Sequence, residues 1–265
     1  MFAINLNPVL PVRSKAEEQA EMTTQLLFGE LFTVLATLEK WLYISNQNDE
    51  YRGWVDSKMA TEISAEDFAF LTAQTPMCIF QPVAECLIKS RNESLFLPAG
   101  SLIHSYSNET AISEILGETY VFPPNSLMKH GQKPPSGNLI ASLAKNFLNA
   151  PYLWGGKTIF GIDCSGLVQT VFGICGIQLP RDAGQQAKYG EPVPSLAAAQ
   201  TADLAFFGNT EGKITHTGIL LDNKTIIHAS GKVKIEKIDE IGIIAQNTNE
   251  HTHKLKFIKR CYRKT

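Results

Sequence analysis

The chain lacks the features that would place it at once with nucleic-acid-binding, membrane or nucleotide-binding proteins. Its 24 basic and 26 acidic residues give a formal net charge of −2, and no basic run suggests a nucleic acid or a membrane surface as partner. No apolar stretch approaches the roughly 20 residues of a transmembrane helix. The Gly-Lys-Ser/Thr ending of a phosphate-binding loop is also missing after the glycines at 155–156. We therefore expect no nucleic-acid partner, no membrane partner and no cofactor.

Signals for export and for disulfide bonding are equally sparse. Residues 1–8 lack the basic region and the long apolar core of a signal peptide. Five cysteines, an odd number without the spacing of a small disulfide scaffold, fit reduced thiols in the cytoplasm better than a disulfide framework. We therefore expect a cytoplasmic protein, in which Cys78, Cys86, Cys175 and Cys261 are packed or idle thiols.

The 265 residues divide into three predicted modules. Their length allows two or three small domains with cores of their own. Short apolar runs separated by Gly, Asn and Asp turns fill residues 1–62 and, less clearly, 63–128, and this pattern predicts two small β-barrels. Proline and glycine around residues 129–136 predict a linker. Residues 137–265 form the third predicted module.

The most informative segment is 163–168, where Cys164 stands between Asp163 and Ser165. A glycine-containing loop precedes the cysteine, and apolar residues recur at helical spacing after it, so Cys164 is predicted at the start of a helix. There the helix dipole and unpaired backbone N–H groups stabilise a thiolate and an anionic tetrahedral intermediate. On this pattern alone the same residues also fit a helix cap that carries a buried, inert cysteine.

Two histidines follow the cysteine on predicted strands. His216 lies where a polar run enters an apolar one, and His228 ends another apolar run. With a turn at residues 222–223, the two histidines would share one face of neighbouring antiparallel strands. One imidazole would then act as the base at the thiol, and the other would hold its far nitrogen and fix the tautomer. A single histidine in such a strand is more often a hydrogen-bonded core residue, but two in succession after a capped cysteine favour catalysis.

These motifs resemble the NlpC-type papain-like cysteine peptidases, in the right order from about residue 137 to residue 265. The resemblance implies that Cys164 is the nucleophile, that His216 is first general base and then general acid, and that His228 orients it. The matching motifs lie at residues 151–156, 161–168, 179–183, 185–186, 203–207, 216–218 and 228–231.

The implied fold is α+β. The family has a papain-like catalytic domain in which a helix-borne cysteine packs on an antiparallel sheet, and it cleaves amide bonds in bacterial cell-wall peptides. Segments upstream, at residues 11–14, 21–30, 41–44 and 49–55, resemble bacterial SH3-like barrels that precede such a peptidase. The resemblance therefore implies two small SH3-like β-barrels followed by the catalytic domain.

This layout resembles a narrower group, the cytoplasmic γ-D-glutamyl-L-diamino acid endopeptidases that recycle wall peptides. In that group the first barrel closes one side of the cleft, a tyrosine lines it and an acidic residue holds the substrate ammonium. Tyr51 matches the tyrosine, although a barrel-core aromatic is the alternative. Glu21 and Glu30 are candidates for the acid, and we favour Glu21, for which a solvated loop charge is the alternative. The implied partner is a small peptide, L-Ala-γ-D-Glu followed by meso-diaminopimelate or L-Lys, and we expect a monomer.

Four further residues match family positions that contact the dipeptide: Tyr152, Trp154, Asp163 and Ser165. Asp163 is a second candidate partner for the ammonium. The two aromatic residues also fit a role in packing the wall of the catalytic domain. One departure is Ala183, which stands where substrate-binding relatives often carry a serine, so that one hydrogen bond to the substrate carboxylate is missing or comes from elsewhere.

Other interpretations remain open at this stage. Residues 251–253, a His-Thr-His sequence, are expected to form a solvated loop and not a metal site, because no cysteine or carboxylate is suitably spaced. A secreted hydrolase of intact cell wall, with barrels that bind it, would carry the same motifs. So would a non-catalytic wall-binding protein, and related folds also perform acyl transfer.

Overall fold

The computed structural model describes residues 1–131 and 135–262. It divides into two compact units, Met1–Gln132 and Lys133–Thr265. Part of the predicted linker, residues 132–134, lies outside the described residues, as do residues 263–265 of the predicted catalytic module. Each unit is described by itself below.

The first unit is almost entirely β-structure, as the alternation of short apolar runs and turns predicts. It also holds one short helix and a 3-10 turn at Ser57–Met59. In chain order the elements are β1 (Phe2–Ile4), β2 (Val9–Arg13), β3 (Met22–Leu27), β4 (Leu31–Leu38), β5 (Trp41–Asn46), β6 (Arg52–Asp56), β7 (Thr61–Ile63), α1 (Ala65–Ala73), β8 (Met77–Ile79), β9 (Val83–Ile88), β10 (Glu93–Pro98), β11 (Leu102–Ile103), β12 (Tyr106–Ser107), β13 (Ile112–Ile115), β14 (Glu118–Val121) and β15 (Leu127–Lys129).

Two apolar clusters hold the first unit together. The sheet β3-β2-β6-β5-β4-β1-β7 closes over one cluster that includes Leu10, Phe32 and Val55. The second cluster joins Phe28 of that sheet region to side chains from both later sheets, β10-β9-β14-β13-β12 and β11-β8-β15, such as Tyr120. Because this core is shared, residues 1–131 form one compact unit, and the boundary predicted between residues 62 and 63 stays a prediction.

The second unit packs helices on one antiparallel sheet, which has the order β18-β24-β19-β20-β21-β22-β23. A short two-stranded sheet, β16-β17, lies just before the cysteine, and a 3-10 turn occupies Leu196–Ala198. The elements are α2 (Gly137–Lys145), β16 (Lys157–Thr158), β17 (Gly161–Ile162), α3 (Cys164–Ile174), α4 (Ala183–Gln186), β18 (Glu191–Val193), β19 (Leu204–Gly208), β20 (Ile214–Leu220), β21 (Thr225–Ser230), β22 (Lys232–Ile238), β23 (Gly242–Ile244) and β24 (His251–Arg260).

Helix α3 is buried along almost its whole length and packs against β20 and β21. Its apolar side chains Leu167, Val168, Val171 and Phe172 are fully inaccessible to solvent, so the helix is held by the core and not by its own propensity. The predictions of a helix that starts at Cys164 and of strands that carry the two histidines are confirmed.

An ion pair joins the start of β19 to the end of the neighbouring strand β24. Asp203, just before β19, is fully buried and accepts hydrogen bonds from Arg260 Nε and Nη2, each at 2.7 Å. It also accepts the backbone N–H of Gln200. The preceding Ala202 adopts a left-handed backbone with φ 73°, so the turn before Asp203 is sharp even without a glycine.

Two general features complete the fold. Across the described parts of the chain, no helix is long and apolar enough to cross a membrane. All five cysteines are free thiols, and Cys78, Cys86 and Cys175 are buried as packed side chains.

Candidate active site

The first turn of α3 presents Cys164 because its neighbours fix the backbone there. Asp163 is the N-cap, and its Oδ1 accepts the backbone N–H of Gly166 at 2.7 Å. Gly166 must lack a side chain, since a Cβ there would lie 2.3 Å from the carbonyl oxygen of Gly156. The glycine-containing loop therefore packs directly on the helix start. It leaves the Cys164 side chain 7% exposed.

Burial and a neighbouring carboxylate disfavour ionisation of the Cys164 thiol. Burial raises the pKa of Cys164 to about 11, and the negative charge of Asp163 adds to the effect. Backbone N–H groups of Thr217 and Ser165 oppose the rise because they donate hydrogen bonds to the sulfur. The Thr217 contact brings the strand residue next to His216 against the start of α3. A thiolate formed here is thus met by two backbone donors.

His216 and His228 form a direct pair, as the sequence predicts for adjacent strands. His216 Nε2 lies 2.9 Å from His228 Nδ1. Gly218 makes room for the second ring, since a Cβ at that position would come within 2.9 Å of the His228 Cβ. Both histidines are buried. Burial, followed by the neighbouring charges of His228, His253 and Lys234, holds the pKa of His216 well below its usual value.

A carboxylate that the sequence reasoning missed lies beyond this pair. Glu236 Oε2, on β22, is 2.9 Å from His228 Nε2, and the Glu236 side chain is only 4% exposed. Although burial alone would raise the pKa of Glu236, hydrogen bonds from His228, the Gln246 N–H and Lys234 lower it to about 2. A signal was available. The tight hairpin at Gly231 pairs His228 with Lys234, so residue 236 faces the same side two positions further on.

A third histidine covers the ring of His216. The His253 ring centroid is 4.2 Å from that of His216, at 31° between planes. Residues 251–253 therefore do not form the expected solvated loop. They begin strand β24, which pairs with β23, β19 and β18. The loop prediction was wrong because His251 and His253 pair across a hairpin with residues 244 and 243 of β23, although His251 and Thr252 remain exposed. Burial lowers the pKa of His253 to about 4.

Arg181 lies in the matching motif at residues 179–183, but sequence reasoning gave it no role. Its side chain is 2% exposed and forms a buried salt bridge with Asp163. Arg181 Nη1 lies 3.0 Å from Asp163 Oδ1 and 2.9 Å from the Ser165 hydroxyl. The Asp163 carboxylate thus caps the helix and neutralises a guanidinium at once. A substrate ammonium bound by Asp163 would share the Asp163 carboxylate with Arg181. The predicted contacts of Asp163 and Ser165 with substrate therefore stay predictions.

The two candidate aromatic residues are accessible to solvent. Trp154 is 60% exposed and Tyr152 is 36% exposed, so neither indole nor phenol is packed as core. Burial, and then the charges of Cys164 and Asp163, raise the pKa of Tyr152 to about 12. The phenol therefore keeps its proton at neutral pH and is able to donate a hydrogen bond. The substrate contacts assigned to both residues stay predictions.

The remaining candidate residues belong to the first unit. Tyr51 is partly exposed, and its backbone N–H is held by Asp49 Oδ1 at 3.1 Å. Glu21 is exposed, whereas Glu30 is buried and accepts the Leu27 N–H and the Asn48 side-chain amide. The ammonium-binding role of these residues likewise stays a prediction.

No metal centre accompanies these residues. Within residues 1–131 and 135–262, no group of three or more His, Cys, Asp or Glu side chains is arranged to hold a metal ion. Two paired imidazoles and a carboxylate lie in one hydrogen-bonded line, and the backbone N–H of Thr217, next to His216, donates to the sulfur of Cys164. These are the groups that a cysteine nucleophile with an oriented base requires, and the action of His216 on the thiol stays a prediction.

Comparisons with known proteins agree with this chemistry. Residues 149–252 match the NlpC/P60 family, and residues 12–59 match the bacterial dipeptidyl-peptidase Sh3 domain. A gamma-D-glutamyl-L-lysine dipeptidyl-peptidase from Bacillus subtilis is 31% identical over 90% of this chain and 81% of its own length. One of the same name from Bacillus cereus is 26% identical over 85% of this chain and 73% of its own.

The fold has a close counterpart among solved structures. A crystal structure of an NlpC/P60 family protein from Bacillus cereus superposes with a TM-score of 0.85. The match covers 99% of this chain and all of the other at 20% sequence identity, so it is a likeness of fold. The chain therefore belongs to the NlpC/P60 family of cysteine peptidases and carries an SH3-like domain on its amino-terminal side.

Proposed function

We propose that this protein hydrolyses the bond between γ-D-Glu and a diamino acid, meso-diaminopimelate or L-Lys, in cell-wall peptides with a free N-terminal L-Ala. The products are L-Ala-γ-D-Glu and the remaining diamino-acid peptide. The observation that carries the proposal is the pair of Bacillus relatives named gamma-D-glutamyl-L-lysine dipeptidyl-peptidase, which match 90% and 85% of this chain. Cys164 at the start of α3 and the hydrogen-bonded pair of His216 and His228 supply the chemistry.

Acylation begins with transfer of the thiol proton to Nδ1 of His216, the ring nitrogen that His228 does not hold. The Cys164 sulfur then attacks the carbonyl carbon of the γ-amide, and the carbonyl π electrons move to oxygen. When the tetrahedral intermediate collapses, the C–N bond breaks and the His216 imidazolium gives its proton to the departing amine. The dipeptide is left as a thioester on Cys164, and the diamino acid leaves with a neutral amine.

Deacylation runs the same proton path in reverse. Water gives a proton to His216 Nδ1 while its oxygen adds to the thioester carbonyl. Collapse of this second intermediate breaks the C–S bond, and the sulfur takes its proton back from His216. The backbone N–H groups of Thr217 and Ser165, which reach the sulfur in the resting site, stabilise the thiolate that leaves.

We assign recognition of the free amine to Tyr51 and Glu21, with Asp163 as the second candidate acid. An ammonium taken out of water needs a partner to offset its lost hydration. A site that provides one discriminates strongly against a peptide whose amine is blocked. Between the two acids first considered, Glu30 is buried whereas Glu21 is exposed, which supports Glu21.

The cytoplasm is proposed as the place of action, with released wall peptides as substrate in a recycling role. The five free thiols support a reducing compartment. Fractionation of cells that make the protein at native level tests this. Activity confined to the soluble cytoplasmic fraction is expected, and recovery from the medium or the wall would favour the secreted hydrolase instead.

The decisive assay offers purified protein the tripeptide L-Ala-γ-D-Glu-L-Lys and its meso-diaminopimelate counterpart. Liquid chromatography with mass spectrometry should detect L-Ala-γ-D-Glu from at least one of them. Cys164→Ala should release none. The control Cys175→Ala removes a different buried thiol, at the carboxyl end of α3, and should stay active. Unchanged tripeptides with the wild-type protein would reject the substrate, and release of peptides from whole sacculi would point to the intact wall.

Amine recognition is tested with the N-acetylated tripeptide. We expect kcat/KM to fall on the order of 100-fold or more. Tyr51→Phe should raise KM for the free peptide by about 10-fold, the effect of losing one hydrogen bond to a charged group. Tyr43→Phe, a matched change on the neighbouring strand β5, should not. Equal turnover of acetylated and free peptide would reject the assignment.

A further inference from the structure

Glu236 has a place in the site that the triad of thiol and two imidazoles leaves unexplained. Its carboxylate lies at the outer end of the hydrogen-bonded line that begins at His216, with 2.9 Å for each of the two links. The two carboxylate oxygens of Glu236 have different hydrogen-bond partners. Oε1 is held by the Gln246 backbone N–H at 3.1 Å and by Lys234 Nζ at 3.2 Å, which leaves Oε2 for His228. The carboxylate is therefore fixed in orientation from three sides.

We propose that Glu236 is a positioning residue that sets the tautomers of both histidines and thereby leaves His216 Nδ1 as the bare nitrogen. A carboxylate only accepts hydrogen bonds, so His228 Nε2 must carry a proton. In a neutral ring the other nitrogen, Nδ1, then has a lone pair and accepts from His216 Nε2–H. His216 in turn keeps its lone pair on Nδ1, where a thiol proton can be received.

Without the carboxylate, no hydrogen bond favours this arrangement of ring protons over the inverted one. His228 with its proton on Nδ1 would donate to His216 Nε2, and His216 would then carry its proton on Nδ1, where it cannot accept from the thiol. This inverted order is disfavoured by Glu236, because an unprotonated His228 Nε2 would face Oε2 with two lone pairs 2.9 Å apart and no proton between them.

The charge of Glu236 has a second effect on the same line. During catalysis His216 becomes an imidazolium inside a buried site, which is costly unless a negative charge lies nearby. The thiolate of Cys164 offsets this charge at first, but its negative charge moves to the substrate oxygen when the sulfur attacks. Lys234 beside the carboxylate is cationic, and His253 stacks on His216 with its centroid 5.7 Å from that of His228. Glu236 therefore adds a fixed negative charge that acts on His216 through the His228 ring.

The inference rests on the proposed roles of Cys164, His216 and His228, but not on the choice of substrate. Its test therefore uses two readouts that need no peptide. The first is the long-range proton–nitrogen NMR spectrum of protein with 15N-labelled histidine, which reports which ring nitrogen carries the proton. The second is the rate at which iodoacetamide alkylates Cys164 at neutral pH. Turnover of L-Ala-γ-D-Glu-L-Lys is the third readout.

Glu236→Gln is the primary variant. We expect His216 to show protonated Nδ1 in a substantial fraction of molecules and Cys164 alkylation to slow. We expect kcat to fall about 10- to 100-fold, by analogy with the outer partners that orient metal-ligating histidines. KM should stay within about twofold by the same reasoning, since Glu236 does not contact substrate. Glu236→Asp, which keeps the charge, should recover part of the kcat and of the wild-type tautomer pattern.

The matched control is Asp239→Asn, which neutralises the carboxylate of another histidine contact in the same unit, Asp239 with His251. Its NMR pattern at His216 and His228, its alkylation rate and its kcat should equal those of the wild type. Near-ultraviolet circular dichroism checks that each variant is folded.

Wild-type tautomers at His216 in Glu236→Gln would overturn the proposal, whether or not activity falls. A tautomer change with kcat within twofold of wild type would overturn its catalytic part. If the wild type does not cleave the tripeptide, NMR and alkylation still decide the role of Glu236, and only the substrate is rejected.

Discussion

Two histidine–carboxylate contacts in the second unit have the same length and opposite surroundings. His228 lies 2.9 Å from Glu236, with both side chains at most 4% exposed. His251 lies 2.9 Å from Asp239, with the side chains 32% and 43% exposed. Water screens the exposed contact and replaces it at little cost, whereas the buried one has no substitute. Distance alone therefore does not distinguish the two contacts, whereas burial does.

The same contrast extends to the start of α3, where Arg181 and Asp163 are paired in the interior. Removing the cation by Arg181→Met leaves the Asp163 carboxylate buried and without its guanidinium. We expect the free energy of unfolding of the second unit to fall by about 3–5 kcal/mol. Hydrogen exchange of peptides from residues 135–262, measured by mass spectrometry across a urea series, reports this unit separately.

Its control is the double variant with Asp163→Asn, which removes the unpaired charge. An asparagine still caps the helix, so the double variant should recover much of the loss. A loss below about 1 kcal/mol for Arg181→Met, the size typical of an exposed pair, would erase the contrast between interior and surface at this position.

The next prediction compares the two histidine contacts directly by stability. Glu236→Gln should lower the free energy of unfolding by about 2 kcal/mol, because buried hydrogen bonds to an ionised group are lost from His228, Gln246 and Lys234. Asp239→Asn should lower it by less than about 1 kcal/mol. The same urea and hydrogen-exchange series measures both, and equal losses would show that burial does not separate the two contacts.

Acid provides a third way to test the contrast. The pKa values of His216 and His253 are lowered in the fold by burial, so the unfolded chain takes up protons near pH 6.5 that the folded chain does not. The free energy of unfolding should therefore fall as pH drops below about 6.5, by up to about 1.4 kcal/mol per pH unit for each histidine. The contribution of Glu236 is present above its usual pKa of 4.5 and is lost as pH falls towards 2.

Two variants check the acid prediction through urea series at pH 7, 6, 5 and 4. His253→Gln should flatten the decline between pH 6.5 and 4, because one buried imidazole no longer resists protonation. Asp239→Asn should leave the slope between pH 6.5 and 4.5 unchanged, since hydrogen bonding from His251 lowers the pKa of Asp239 below its usual 3.8. Equal slopes for wild type and His253→Gln would contradict the assignment.

Sequence reasoning reached the parts of the site that leave a local pattern. Apolar spacing after Cys164 predicted the helix, and apolar runs on either side of a turn predicted the strands of His216 and His228. The papain-like arrangement was implied by a resemblance over these motifs. The substrate contacts of Tyr51 and Glu21 could not be predicted from a local pattern, because none distinguishes a residue that lines a cleft from one that only belongs to a barrel.

The missed residues are those brought in by distant pairing. Arg181 reaches Asp163 across 18 positions, and His253 reaches His216 only because β24 pairs with β19. Neither leaves a periodic signal. Glu236 could in principle have been predicted from the sequence, since the hairpin at Gly231 fixes which residues of β22 share a face with His228. A charged residue on an inward face is the signal to seek there, because an unpaired charge in that position would be costly.

The smallest expected effect is that of salt on the stability differences of the two carboxylate variants. It compares the buried Glu236 contact with the exposed Asp239 contact through screening alone. Raising sodium chloride from 0.05 to 1 M shortens the Debye length from about 14 to about 3 Å, which screens exposed charges but reaches buried ones far less. The stability difference between Asp239→Asn and wild type, below about 1 kcal/mol at low salt, should shrink towards zero. The difference for Glu236→Gln should change little, because solvent ions have no access to a contact that is at most 4% exposed. If both differences shrink alike, solvent reaches Glu236 as readily as Asp239, and the carboxylate could not hold His228 in one tautomer against competition from water.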